Sequence, residues 1–298
     1  MPLFSVIIPS YNRGDLIAET IDSVLAQDCT DHEIVVADDG STDSTMAVLA
    51  RYGDRIRVHR QANAGPGAAR NLALRHATGT YVAFLDSDDL WLPWTLSTYA
   101  TVIEAEDSPS IIVGPWREFT GNAPAPPPRG SLTSTRYGSF FRSPLDWHLP
   151  SGTAMRREML TAAGGFSTAA CEDVDIWMRV GGTPGFVTLS SPVCFLYRSH
   201  PAGISQTSHY RFNGIRQLVR TERGDGYGGA ADREARRSYI AQATRAASMF
   251  YLERRCPREA LSLYWHALGW QLRQGRLRYA LLFPLLVAWR TVATRKTR

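Results

Sequence analysis

The sequence predicts an α/β protein: a mixed, mostly parallel sheet flanked by helices and followed by a helical C-terminal region. Three observations predict it. Short β-branched runs alternate with helical periods from the N-terminus, the pattern that βαβ units leave in a sequence. Carboxylates cluster where two of those runs end, and beyond about residue 206 the runs give way to arginine-rich helical patterns. At 298 residues, 44% hydrophobic and 20% charged, the chain can bury a sizeable core and is neither a disordered tail nor a membrane channel.

Strands are predicted at Phe4 to Ile8, Glu33 to Ala37, Ile56 to His59 and Tyr81 to Leu85. Between the first two, Leu16, Ile17, Ile21, Val24 and Leu25 repeat at helical spacing, and Asp15 is placed to cap that helix. Further helices are predicted over Ser44 to Arg51 and Gly67 to Ala77, with a fourth after Pro93, because proline suits a first helical turn. Ala123 to Gly130 reads A-P-A-P-P-P-R-G, whose prolines remove backbone donors and favour an extended, exposed loop. Near the C-terminus Leu261, Trp265, Leu268 and Leu272 share one helix face and read as core. No unit repeats, so a solenoid is not expected.

The net charge of +5 hides an asymmetry. Residues 1–205 carry 15 basic and 22 acidic side chains, a net −7, whereas residues 206–298 carry 18 basic and 6 acidic, a net +12. A segment so basic points to an anionic partner. Phe4 to Ile8 is too short for a secretory h-region and lacks a basic flank, so a cytoplasmic location is expected. Cys29, Cys171, Cys194 and Cys256 lie far apart with no C-x-x-C pair, which argues for reduced thiols over a zinc site or a disulfide framework. The longest apolar run, Tyr279 to Trp289, is 11 residues between Arg278 and Arg290 and contains Pro284, short of a bilayer span.

Asp86, Ser87, Asp88 and Asp89 directly follow the strand Tyr-Val-Ala-Phe-Leu. Three crowded carboxylates repel one another unless protons or a cation intervene, and hard oxygen donors suit Mg²⁺ or Mn²⁺. The alternative is a solvated turn or a helix cap before Trp91. Asp38 and Asp39, in V-V-A-D-D-G-S-T-D, also end a strand, where open α/β sheets bind ligands. One of them is placed to accept a base N–H while Ser41 or Asp43 caps the next helix; capping alone is the alternative. Gly65-Pro66-Gly67-Ala68-Ala69-Arg70 superficially matches a dinucleotide fingerprint. That loop belongs after the first strand, and here the first strand ends in Pro9-Ser10-Tyr11-Asn12. The glycines instead suit a close backbone approach to a nucleotide, with Arg70 either near phosphate or in a structural ion pair.

Four segments, F-S-V-I-I-P-S-Y-N at residues 4 to 12, V-V-A-D-D-G-S at 35 to 41, N-A-G-P-G-A-A-R-N at 63 to 71 and F-L-D-S-D-D at 84 to 89, together resemble an inverting family 2 glycosyltransferase of GT-A fold, with its Rossmann-like sheet. The resemblance implies that Pro9, Tyr11 and Asp39 line a base and ribose pocket; on the glycine-loop reading above, Gly65 and Arg70 are counted as donor-binding candidates. Asp86 and Asp88 would form the D-x-D element holding a metal-bound diphosphate, Asp88 being the direct ligand. C-E-D-V-D-I-W-M-R at residues 171 to 179 is similar to the motif carrying the family's catalytic base, which assigns that role to Asp173 first and Glu172 second. Asp175 and Trp177 would support this site or contact acceptor. In Tyr197-Arg198-Ser199-His200 the histidine would approach metal or diphosphate and Arg198 phosphate; a structural histidine is the alternative. Pro150-Ser151-Gly152, read as lying before a helix, contacts donor sugar or acceptor, or is a plain turn.

The expected activity is Mn²⁺- or Mg²⁺-dependent transfer of a sugar, UDP-linked, onto a glycan or lipid-linked acceptor with inversion. Residues 1–205 would form the catalytic domain, 1–115 for the nucleotide sugar and 116–205 for the acceptor, with 206–298 a basic helical region. Nucleic acid is not expected as a partner. A nucleotidyltransferase and a non-catalytic nucleotide-sugar binding protein are the competing classes, and Glu172 with Asp173 argues against the latter. The resemblance stops near residue 205. Beyond it, the arginines and the Leu281 to Trp289 surface either dock on an anionic membrane, at its inner face, or form a lid or homodimer surface with solvated arginines.

Overall fold

In the computed structural model, which describes residues 1–143, 150–199 and 208–295, strand β1 (Phe4–Ser10) is buried along its whole length. A strand is covered in this way only inside a sheet packed on both faces. The elements that follow are α1 (Ile17–Leu25), β2 (His32–Asp38), α2 (Thr45–Leu49), β3 (Arg57–Arg60), α3 (Pro66–His76), β4 (Tyr81–Phe84), β5 (Leu90–Trp91) and α4 (Thr95–Ala105). Next come β6 (Ile111–Val113), β7 (Trp116–Phe119), β8 (Thr133–Tyr137), β9 (Thr153–Arg156), α5 (Arg157–Ala162), α6 (Glu172–Val180), β10 (Phe186–Ser191) and β11 (Phe195–Arg198). The four predicted strands are β1 to β4, within two residues at each end.

The main sheet has the order β3-β2-β1-β4-β9-β6-β10-β8. β3, β2, β1 and β4 run parallel, β9 is antiparallel to both β4 and β6, β6 and β10 are parallel, and β8 closes the edge antiparallel to β10. A small sheet, β5-β11-β7, adjoins the end of β4. The predicted mixed, mostly parallel α/β architecture is therefore present. In register, Ser10 pairs with Asp38, so the turn after β1 and the carboxylate-rich turns after β2 and β4 all emerge at the C-terminal ends of neighbouring parallel strands.

Local chemistry departs from expectation in three places. Asp15 does not cap α1: the helix starts at Leu16 without a side-chain cap. The chain before it is held instead by Thr45 Oγ1, which accepts the Arg13 N–H (2.8 Å), and by Asp43, which accepts the Gly14 N–H (3.0 Å). Pro93 lies in the turn before α4 and not in its first helical turn. Pro150 to Gly152 forms a 3₁₀ turn leading into strand β9, not into a helix. The proline-rich segment is an exposed coil as predicted.

Contacts divide the chain into one unit of Met1–Thr168 with Glu172–Pro201 and a second of Ala169–Cys171 with Ala202–Arg298. The second holds α7 (Ser208–Arg223), α8 (Arg233–Glu253), α9 (Pro257–Arg273) and α10 (Leu277–Arg295), the predicted helical appendage. Its core gathers Ile215, Ala247, Tyr251, Leu263, Tyr264, Phe283 and Val287. Glu222 and Arg236 are buried within it as an ion pair at 2.9 Å. Pro284 sits inside α10 and cannot donate to the Ala280 carbonyl four residues back; the Tyr264 hydroxyl donates to that carbonyl instead, at 2.6 Å.

The predicted core stripe of α9 is met in part: Leu261 and Leu268 are partly buried against the core, and Trp265 and Leu272 are not. Ala260, Leu263, Tyr264, Ala267 and Trp270 point inward, whereas Trp265 is 60% and Leu272 44% exposed. The helix is apolar over most of its circumference, so two stripes compete. The one containing Ala260 and Ala267 lets α8 pack closely, and of the bulkier stripe only Leu261 and Leu268 reach the core, from its edge.

Candidate active site

The carboxylates after β4 split by direction. Asp89 turns inward and is buried, its Oδ1 accepting the Arg198 N–H (2.9 Å) and its Oδ2 the Ser151 hydroxyl. Burial, with Asp86 and Asp88 nearby, pushes its carboxyl well above the usual range. Asp86 and Asp88 remain partly exposed, with side-chain accessibilities of 31% and 19%. Ser151 also accepts the Asp86 N–H (3.1 Å), and its carbonyl accepts the Trp91 indole N–H (2.7 Å). Ser151 and Asp89 thus form the internal brace that presents Asp86 and Asp88 at the strand end.

Arg70, on α3, is buried and shared between two carboxylates. Its Nη2 donates to Asp86 Oδ1 (2.7 Å) and its Nη1 to Glu172 Oε1 (2.5 Å), the first residue of α6. Burial opposes its charge, but Asp86 and Glu172 more than offset this and hold the guanidinium protonated. The structural ion pair is therefore the one of the two readings of Arg70 that the geometry meets. Gly67 has a related packing role. A Cβ there would lie 2.0 Å from the Ser167 carbonyl and 3.1 Å from Glu172 Cγ, so this glycine brings the start of α3 against the acidic segment.

Asp173 stands next to Glu172, accepting the Val174 N–H at 2.9 Å. Burial and the adjacent Glu172 raise its carboxyl to about 6, with Arg70 pulling the other way. Asp86 is raised by burial too, against the opposing pull of Arg70. A carboxylate with a pKa near neutrality can take a proton at physiological pH and lose it again, the property a general base needs. Farther along α6, Asp175 pairs with Arg179 (2.9 Å), and Trp177 is buried between Phe140 and Phe186; both serve the helix and its packing.

At the other acidic strand end, Asp39 is buried and accepts three donors of the following loop: Gln61 Nε2 (2.7 Å), Ala64 N–H (3.0 Å) and Gly65 N–H (2.8 Å). Gly65 has φ of +92° and open space where a side chain would project. Asp38 accepts the Ser41 N–H and pairs with Arg60 Nε, both at 3.1 Å, while Asp43 accepts the Thr45 N–H (3.0 Å) at the start of α2. The buried Ser10 Oγ and Asp38 Oδ1, register partners on β1 and β2, have no hydrogen-bond partner among the described residues, an uncommon state for buried polar atoms. Pro9 is buried in β1 and Tyr11, just beyond it, is exposed.

Arg198 is fully engaged: Nε on the Asp88 carbonyl (2.9 Å), Nη1 on the Gly121 carbonyl (2.7 Å) and Nη2 on Glu19 (2.6 Å), over the Phe119 ring. These bonds make it a strut between the β4 turn, the coil at Gly121 and α1. His200 lies outside the described residues. Sequence reasoning missed Arg13, whose Nη2 lies 3.4 Å from Asp88 Oδ2. Its signal was available: it is the sole basic side chain in the first fifty residues, two positions after Tyr11.

At the C-terminal ends of the parallel strands, one arginine thus ties a strand-end carboxylate pair to an acidic helix start. The family model "Glycosyl transferase family 2" matches residues 5–163, more than half the chain, and the protein belongs to that family. A putative teichuronic acid biosynthesis glycosyltransferase, TuaG of Bacillus subtilis, is 50% identical over 94 residues, 30% of this chain and 37% of TuaG; the chain thus matches only about a third of that relative's length. The crystal structure of S. aureus TarS 1-349 superposes with a TM-score of 0.70 at 23% identity, over 99% of this chain and 92% of that one. A mannosyltransferase of Pyrobaculum calidifontis, in complex with GDP-Man and Mn²⁺, gives 0.58 at 20% identity, over 99% and 86%. These likenesses establish the GT-A fold.

Proposed function

We propose that the protein is an inverting, metal-dependent glycosyltransferase that moves a sugar from a nucleotide diphosphate donor, UDP-linked, to a glycan or lipid-linked acceptor. The observation that carries this reading is the Arg70 bridge, which joins the D-x-D strand end at Asp86 to the acidic helix start at Glu172 and so couples donor and base sites. The residues fit a hard divalent cation. Mg²⁺ and Mn²⁺ are held by one or two carboxylates together with substrate phosphates, and Asp86 and Asp88 supply that pair; among the described residues no larger group of His, Cys, Asp or Glu forms a cage. When bound, such an ion offsets charge on the departing diphosphate.

The chain's own residues do the rest. Pro9, Tyr11 and the loop anchored on Asp39 receive base and ribose within residues 1–115, and Arg13 adds a positive charge beside Asp88. Asp173 removes the proton of the acceptor hydroxyl as its oxygen attacks the anomeric carbon, while the bond from that carbon to the diphosphate oxygen breaks on the opposite side. One in-line displacement inverts the centre. Residues 116–205 supply the acceptor side. A TarS structure in complex with UDP-GlcNAc supports a UDP donor.

Incubation with a panel of UDP- and GDP-sugars, followed by NMR of the product linkage, tests this. A glycoside of inverted configuration and a free nucleoside diphosphate are expected. Pyrophosphate release would mark a nucleotidyltransferase, and nucleotide binding that ignores Mn²⁺ and Mg²⁺ in calorimetry would overturn the metal assignment.

A further inference from the structure

Helix α10 is apolar on two opposite faces. Ala280, Phe283 and Val287 are buried in the helical unit, whereas Leu281, Leu282, Leu285 and Trp289 are 69%, 57%, 65% and 65% exposed. Residues 281, 285 and 289 recur every four positions, with 282 beside them, so they form one continuous outer stripe about 10–12 Å long at 1.5 Å per residue. Trp265 and Leu272 of the neighbouring α9 are also exposed. Contiguous exposed leucine and tryptophan mark an interaction surface.

The charge around this stripe selects the partner. Residues 260–298 contain seven basic side chains and no acidic one. Arg273 and Arg278 are exposed near the start of the stripe, and Arg290 follows Trp289 directly. A second copy docked on this face would bring arginines against arginines with no carboxylate between them, which costs association. A nucleic acid would satisfy the arginines but has no use for four exposed apolar side chains. An anionic lipid surface answers both features, with acyl chains for the leucines, the interface for the tryptophan and phosphate headgroups for the arginines. Crossing the bilayer is not an option for a helix whose other face is committed to a protein core, and among the described residues no helix is long and apolar enough to do so.

We infer that α10 is an in-plane membrane anchor that inserts Leu281, Leu282, Leu285 and Trp289 into an anionic lipid interface. The inference does not depend on the proposed catalytic activity. The test is sedimentation of the full chain with vesicles of phosphatidylcholine alone and of phosphatidylcholine with phosphatidylglycerol. Binding to the anionic vesicles is expected. Leu281→Asp combined with Leu285→Asp should weaken it at least tenfold, and Arg273→Glu or Arg278→Glu roughly fivefold or more each. These side chains are exposed, so an unchanged thermal melt verifies that the variants fold. Equal pelleting of the wild type and the double aspartate variant would overturn the inference. So would light scattering that shows a dimer dissociated by the double variant together with no vesicle binding by the wild type.

Discussion

Asp173 and Glu172 are adjacent carboxylates with different partners, and the proposed assignment of the base to Asp173 rests on that difference. Glu172 is held by Arg70, whereas Asp173 is raised to about 6 by burial and by Glu172. A base must be unprotonated to act, so transfer should be full above this value and fall as pH drops through about 6, read as the acid limb of a kcat/KM profile. Glu172→Gln removes a negative neighbour and should move that limb to lower pH; Arg70→Gln removes a positive one and should move it higher. Asp173→Asn should lower kcat by about 10²–10⁴-fold while calorimetry shows donor binding retained. Transfer by Asp173→Asn at the normal rate, or abolition of transfer by Glu172→Gln at every pH, would reassign the base. The motif alone singles out Asp173 as the candidate base. Its raised pKa is not legible there, because burial, which raises it, and the opposing Arg70, over a hundred residues away, are tertiary facts.

Among the elements, α3 shows how a glycine can be misread. Gly67 suggested close approach to a nucleotide, but it makes room for the Ser167 carbonyl and Glu172. Gly67→Ala should therefore destabilise by about 1–3 kcal/mol through overpacking, despite the roughly 1 kcal/mol helix preference for alanine, and a lowered thermal midpoint checks this. The Ser151 turn offers a second test. Ser151→Ala strips a partner from the buried Asp89 carboxyl and from the Asp86 N–H, at a cost of about 1–3 kcal/mol measured by urea unfolding. β1, β2 and β4 were readable because continuous apolar runs have few other uses, and β3, R-V-H-R, only from its place between two helical segments. The later strands were not: β5 has two residues and β6 three, too short for any periodicity. α9 was read only in part for the reverse reason: Leu261 and Leu268 pack on the core while Trp265 and Leu272 do not, since two competing apolar stripes leave the inward face to be chosen by its neighbours.

As a whole, the molecule carries separate hydrophobic cores, one under the main sheet and one among α7 to α10. Glu222→Ala leaves Arg236 buried without its counter-charge in the helical core, a loss of roughly 3–5 kcal/mol. Calorimetry should show one thermal transition lowered and the other in place, because multi-unit chains need not unfold as one; equal lowering of both would mean that the cores unfold together. The charge division at residue 205 belongs to this scale too. The sequence by itself determined the α/β class, the strand-end carboxylates and the basic, acid-free C-terminal stretch, since each is written in neighbouring residues. Only the tertiary structure decided that Arg70 serves Asp86 and Glu172, that Asp89 braces the site from within, and that the leucines of α10 face outward. Those outcomes depend on which distant surfaces meet, and the packing of neighbours settles that where local pattern leaves more than one face available.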